Sequence, residues 1–205
     1  MSHEEYLGWP SASQLKGLFP KPSIDLWVEK VGQSKADEIL KASQDYGTEI
    51  HALIEGYLLG GDRIIEEGTF EAKVIHNVEK FLIENNLTVL WIEKHLKSTA
   101  SKIHGKPDLV CTTESGDLVI VDWKTGSLLD GLACVQLMVY SYLAHINAEY
   151  STQKCKDGYF CKIDKKTGDL KAIKIPGLDN WYWLVEALAG KWWRENSDVA
   201  SSQLS

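Results

Sequence analysis

The stretch from Gly105 to Gly126, GKPDLVCTTESGDLVIVDWKTG, constrains the fold more than any other part of the chain. Two apolar runs flank a short polar turn, Glu114-Ser115-Gly116-Asp117, and read as consecutive buried β-strands. Both runs carry charge where a strand should be dry: Asp108 in the first, Asp122 and Lys124 at the end of the second. Alternate residues of a strand share a face, so Leu118, Ile120, Asp122 and Lys124 point one way and Val119, Val121 and Trp123 the other. Burying an unpaired carboxylate costs several kcal/mol or shifts its pKa, so a partner must exist. One candidate is Lys124 itself, or another charge across the sheet. The other is a divalent cation between Asp108 and Asp122, which would relieve their repulsion. Mg²⁺ takes oxygen ligands and keeps several waters, so one or two aspartates suffice to hold it. Lys124 could then hold or deprotonate a water, or face a negatively charged transition state.

The rest of the chain supplies the frame. WPSASQLKGLFP reads as a turn and a short helix started by Ser11 or Ser13. A long helix follows in SKADEILKASQDYGTEIHALIEGYLLGG, closed by Gly60-Gly61 and bent near Gly47. In TFEAKVIHNVEKFLIENN, Phe70, Val74, Val78, Phe81 and Leu82 recur at helical spacing, with Thr69 as cap. The period then changes: LTVLWIEKHLKS, IHGKPDLVCTT and DLVIVDWKT are consecutive strand candidates. LLDGLACVQLMVYSYLAHINAEY returns to a helix, and GYFCKIDKKTGDLKAIKIP predicts a hairpin turning at Lys165 to Asp169. LDNWYWLVEALAGKWWRENS predicts a terminal helix capped by Asp179, and the tail SDVASSQLS is expected to be disordered. This order defines an α/β core with a mixed sheet.

The charged strands resemble the signature of the PD-(D/E)xK nucleases, with Pro107-Asp108 as the PD and Asp122-Trp123-Lys124 as the (D/E)xK. In VQLMVYSYLA, Gln136 and Tyr140 share a helix face and resemble the QxxxY motif of the RecB-like branch. YGTEIHALIEGYL resembles that branch's GTxxHxxxE element, with His51 and Glu55 four apart. Glu93, in WIEKHL, takes the place of the family's acidic residue on the first core strand. WPSASQL is similar to the PSxT-like opening of mitochondrial-genome-maintenance-type and phage exonucleases. These elements follow one another in the family's order across residues 9–145.

The resemblance implies a restriction-endonuclease-like core: a central mixed β-sheet flanked by helices, with a helical N-terminal part. The expected organisation is a single nuclease domain over 1–205, with a helical part at 1–86, the α/β core at 87–197 and the tail at 198–205. It implies a metal-dependent DNA exonuclease acting on single-stranded ends in replication, repair or recombination. Asp108 and Asp122 would ligate Mg²⁺ or Mn²⁺ with the Trp123 carbonyl, His51 would approach the metal from the helical part, and Glu93 would be a direct or indirect ligand. Lys124 would position or activate the attacking water, while Gln136 and Tyr140 would orient the site or contact the strand. A structure-specific endonuclease on the same core, a catalytically inactive nucleic-acid-binding module and a structural α/β domain with an ion pair at the sheet end are the competing readings.

Without the resemblance, His51 reads as a half-buried hydrogen-bonded histidine and Glu55 as a solvated or salt-bridged helix residue; Trp91, Glu93 and His95 would share the wet face of a strand. The net charge of −7 argues against a broad duplex-binding face but says little about a local groove. Cys111, Cys134, Cys155 and Cys161 form no CxxC pair, so reduced thiols and no iron–sulfur cluster are expected. Trp181, Tyr182, Trp183, Trp192 and Trp193 are expected to be mostly a hydrophobic helix face rather than base-stacking platforms. The hairpin lysines, among them Lys156, Lys162 and Lys174, suit either a phosphate backbone or a solubilising sheet edge. No apolar stretch reaches the ~18 residues that span a bilayer, and the opening MSHEEYLGWP lacks a signal-peptide core. The expected location is therefore cytoplasmic rather than secreted, with no membrane partner and no protein partner named by the sequence.

Overall fold

The computed structural model describes residues 8–61, 65–126, 131–148 and 153–196. The expected disordered tail lies outside the described residues. Five strands form the central sheet: β1 (Thr88–Ile92), β4 (Leu109–Thr112), β5 (Leu118–Lys124), β6 (Cys155–Ile163) and β7 (Leu170–Ile175), in the spatial order β1-β4-β5-β6-β7. All neighbours are antiparallel except β5 and β6, which run parallel. That parallel pair needs a crossover, and α5 (Gly131–Ile146) supplies it. The sheet is mixed and flanked by helices on both faces, as the sequence predicts.

β5 is buried along both faces, which accounts for its unbroken apolar run. Leu118 and Ile120 join Val110, Phe160 and the apolar residues of α5, the short α1 (Ala12–Lys16) and α6 (Tyr182–Glu195) in one core layer. Val119, Val121 and Trp123 join Leu109, Cys111 and Cys161 under α3 (Gln33–Leu58) and α4 (Phe70–Glu84) in the other. The two faces of β5 therefore divide as the period-two pattern requires. Helix α5 is apolar almost all round because it is packed between the sheet, α1 and α6.

The helix ends follow local chemistry. Ser11, not Ser13, caps α1 through a capping box: its hydroxyl accepts from the Gln14 N–H at 3.2 Å, and Gln14 Oε1 accepts from the Ser11 N–H at 2.8 Å. Thr69 caps α4 as expected. Beyond Leu58 the chain turns through Gly60 at φ +77°.

Several expectations need correction. Helix α2 (Pro22–Val31) was not anticipated; Pro22 opens it at a position where its missing N–H costs nothing. LTVLWIEKHLKS is not one strand. It breaks at 93–95 into β1 and β2 (Leu96–Ser98), and β2 pairs with β3 (Ile103–Gly105) in a separate two-stranded sheet. Glu93 stands at φ +46°, outside any extended conformation, so Trp91, Glu93 and His95 do not share a strand face. Asp179 does not cap α6: it lies in a 3₁₀ turn, Leu178–Trp181, that precedes the helix. Among the terminal aromatics, Tyr182 and Trp192 pack on the core, whereas Trp181 and Trp183 are 43% and 62% exposed. Among the described residues no helix is long and apolar enough to cross a membrane.

Candidate active site

The site lies at the end of the sheet where the two core layers meet. Leu109 pairs with Val121 across β4 and β5, so one step further the antiparallel register sets Asp108 opposite Asp122. Pro107 is buried and restrains the backbone at the turn out of β3, with Lys106 exposed just before it. Asp108 Oδ2 accepts a hydrogen bond from the Trp123 backbone N–H at 2.7 Å. Its other oxygen faces His51 Nδ1 at 3.3 Å, and His51 Nε2 lies 3.1 Å from the Trp123 carbonyl oxygen.

Helix α3 brings His51 to this point because it approaches the end of β5 closely. A Cβ on Gly47 would lie 3.2 Å from Thr125 Oγ1, so the glycine in YGTEIH lets the helix pass. Burial disfavours a charged His51, but the hydrogen bond to Asp108 and the charges of Asp108, Asp122 and Glu93 outweigh it and raise its pKa above the ordinary value. In the protonated ring both nitrogens are donors, one toward Asp108 and one toward the Trp123 carbonyl.

Glu93 reaches the site through a β-bulge. Val89 pairs with Cys111 but Trp91 pairs with Val110, which leaves Leu90 extra. The one-residue shift puts Glu93 opposite Asp108, where its N–H donates to the Asp108 carbonyl at 3.1 Å. Ligand-capable atoms of His51, Glu93 and Asp108 all lie within 4.8 Å of one another. Glu93 is held by the ammonium of Lys106; burial raises its pKa although that ammonium opposes the shift.

Asp122 stands beside this triad, 2% exposed. Its Oδ2 is 2.5 Å from Lys124 Nζ, so the two form a close, largely buried ion pair. Burial and the charge of Asp108 raise its pKa to about 6 against the pull of Lys124. Trp123 contributes only backbone here; its ring is buried in the opposite layer, edge-on to Phe81 at 6.3 Å.

From the other layer, Gln136 and Tyr140 of α5 meet as their spacing predicts: Gln136 Nε2 donates to the Tyr140 hydroxyl at 2.9 Å. Gln136 Oε1 in turn accepts from Lys16 of α1 at 3.3 Å. Burial raises the Tyr140 pKa, which keeps the phenol protonated. A cleft of about 580 Å³ opens over the site, lined by Gln44, Thr48, His51, Glu55, Glu93, Lys106 and Gln136, with Gly47 and Ala52 completing its α3 wall. Glu55 thus faces the cleft mouth from the turn after His51.

Of the expected site residues, Asp108, His51, Trp123 and Glu93 are in contact, Asp122 lies against Lys124, Gln136 lies against Tyr140, and Glu55 lines the cleft. Sequence reasoning missed Lys106 and Lys16. The only signal for Lys106 was its place in GKPD; for Lys16 there was none, because its partner is 120 residues away. The clustered ligand atoms of His51, Glu93 and Asp108, with the Trp123 carbonyl beside His51, make a donor set that suits a divalent ion.

The family model described as the PD-(D/E)XK nuclease superfamily matches residues 63–195. The chain belongs to the PD-(D/E)XK nuclease superfamily. No curated protein matches it in sequence. Among solved structures it is similar to an alkaline exonuclease, LHK-Exo, from Laribacter hongkongensis, with a TM-score of 0.51 at 13% identity over 98% of this chain and 96% of that one. LHK-Exo in complex with dAMP aligns at a TM-score of 0.49 and 13% identity over the whole of both chains.

Proposed function

We propose that this protein is a Mg²⁺- or Mn²⁺-dependent deoxyribonuclease, a single nuclease domain that removes nucleotides from single-stranded DNA ends. The observation that carries the reading is the pair Asp108 and Asp122, set opposite each other at the end of a dry sheet, with Lys124 against Asp122 and His51 and Glu93 clustered on Asp108. Asp108, Asp122, the Trp123 carbonyl, His51 and Glu93 would hold the ion. A divalent ion bound there supplies Lewis-acid polarisation of a phosphoryl oxygen and a water of lowered pKa.

The chain's own residues do the rest. The Trp123 N–H fixes one oxygen of Asp108, so that carboxylate is oriented before substrate arrives. Lys124 projects from the end of β5 and orients the attacking water or faces the charge that develops on the phosphoryl group. Water adds to phosphorus and the ester oxygen leaves, so one P–O bond forms as another breaks. Gln136, held by the buried Tyr140 hydroxyl, lines the cleft where it can contact the strand. The preference for a single strand follows from the resemblance, in which the helical N-terminal part arches over the site.

The test is a digest, with Mn²⁺ and with Mg²⁺, of one single-stranded oligonucleotide labelled separately at its 5′ and 3′ ends, with a circular single strand and Asp122→Ala beside it. The linear strand should be degraded, the circle should survive and the variant should be inert. Cleavage of the circle would replace exonuclease with endonuclease; an intact linear strand in both metals would refute the nuclease reading.

A further inference from the structure

Lys106 is exposed over 45% of its side chain and lines the cleft, yet its ammonium is spent on Glu93. Glu93 is the less exposed partner, at 14%, and sits at φ +46°, a conformation costly for a residue with a long side chain. The same Glu93 carboxylate is within reach of the His51–Asp108 cluster. One carboxylate therefore faces two cation positions: the one Lys106 now fills and the one the cluster surrounds. A second ammonium, Lys124, is similarly engaged with Asp122.

We propose that Lys106 is a phosphate contact delivered by exchange: in the metal-free protein it neutralises Glu93, and when Glu93 turns to a divalent ion the ammonium is released to a backbone phosphate of the strand. The inference rests on the nuclease reading above. Its physical basis is charge balance. Glu55, Glu93, Asp108 and Asp122 face or underlie one cleft, and a bare polyanion entering it meets repulsion with both lysines engaged. An ion on Glu93 changes that balance twice, by its own charge and by freeing Lys106. The rigid turn at Pro107 keeps the lysine's origin fixed while its flexible stem swings. Binding of metal and of strand would then be coupled with no movement of the backbone.

Two measurements avoid the loaded enzyme's activity. First, Mn²⁺ is titrated into DNA-free protein: Lys106→Met, which removes the competing ammonium but keeps the stem, should bind Mn²⁺ about fivefold tighter than wild type, the fold-change of a modest ion pair. Second, single-stranded oligonucleotide binding is measured in EDTA across a salt series. Glu93→Gln should bind more tightly than wild type, with the salt slope steeper by about 0.7, the value for one added phosphate contact. Glu93→Gln combined with Lys106→Met should lose that steepening. If the gain in Glu93→Gln persists without Lys106, it reflects only a removed negative charge and the exchange is refuted. Unchanged Mn²⁺ affinity in Lys106→Met refutes it as well. Wild-type protein that binds neither Mn²⁺ nor single strands overturns the nuclease reading and this inference together; wild-type binding with inert Lys106 variants overturns the inference alone.

Discussion

The carboxylate of Asp108 is hydrogen-bonded at 2.7 Å to the backbone N–H of Trp123, the residue between Asp122 and Lys124. That bond gives the two aspartates different structural roles. Asp108 satisfies a main-chain donor at the end of β5, whereas the Oδ2 of Asp122 is paired with the Lys124 ammonium.

The two aspartates should therefore separate in stability while agreeing in activity. Asp108→Ala strands the Trp123 N–H and should lower the unfolding free energy in EDTA by about 1–3 kcal/mol. Asp122→Asn removes a buried charge and should leave that stability unchanged or raise it. Both should lower nuclease activity by about a hundredfold or more. Urea denaturation in EDTA, beside a single-strand digest, checks the split.

Stability of the metal-free protein should fall as pH rises. Asp122 releases its proton near 3.8 in the unfolded chain but near 6 in the folded one, so its contribution is complete below pH 4 and lost as pH passes through 6. His51, also raised when folded, adds a loss of the same sign above its ordinary value of 6.5. Saturating Mn²⁺ should flatten the profile, because the bound ion favours the deprotonated ligands. Asp122→Asn should remove the acidic part of the slope, and Lys124→Met should extend it to higher pH. Melting temperature against pH, with and without metal, reads all of these.

Gly105 should not tolerate a side chain. A Cβ there would meet Tyr140 Cε1 at 2.9 Å and Leu143 Cδ1 at 3.0 Å, both in a filled core. Gly105→Ala should cost about 1–3 kcal/mol by overpacking. It should also displace the Tyr140 ring, so activity should fall further than stability predicts. Denaturation and the single-strand digest, run on the same preparation, test both.

Tyr140→Phe should leave the buried Gln136 amide without its acceptor and cost about 1–3 kcal/mol. Adding Gln136→Leu should recover part of that loss, because an apolar pair needs no hydrogen bond. A double-mutant cycle measures the coupling; additive costs would show that the contact does not act as a pair.

The core pattern and the start of α4 were legible because they depend on neighbours in sequence. The alternation in LVIVDWK placed Asp122 and Lys124 on the face shared with Ile120, and Thr69 announced α4. The four-residue spacing of Gln136 and Tyr140 sufficed to predict that they meet. Where β1 ends was not legible. An unbroken run of strand-forming residues continues past Ile92, and nothing in LTVLWIEKHLKS marks the bulge at Leu90. Lys106 and Lys16 escaped for a related reason: a lone lysine is defined by what it faces.

The sequence by itself determined the family, the long helices, the central strands and the two faces of β5, because periodicity and motif spacing are local properties of the chain. Only the tertiary structure decided how the charges are shared. The extra residue at Leu90 slides Glu93 by one position onto Asp108, and the gap at Gly47 admits His51 to the Trp123 carbonyl. Register and close approach are set by packing between elements distant in sequence. They assign Lys106 to Glu93, Lys124 to Asp122 and His51 to Asp108.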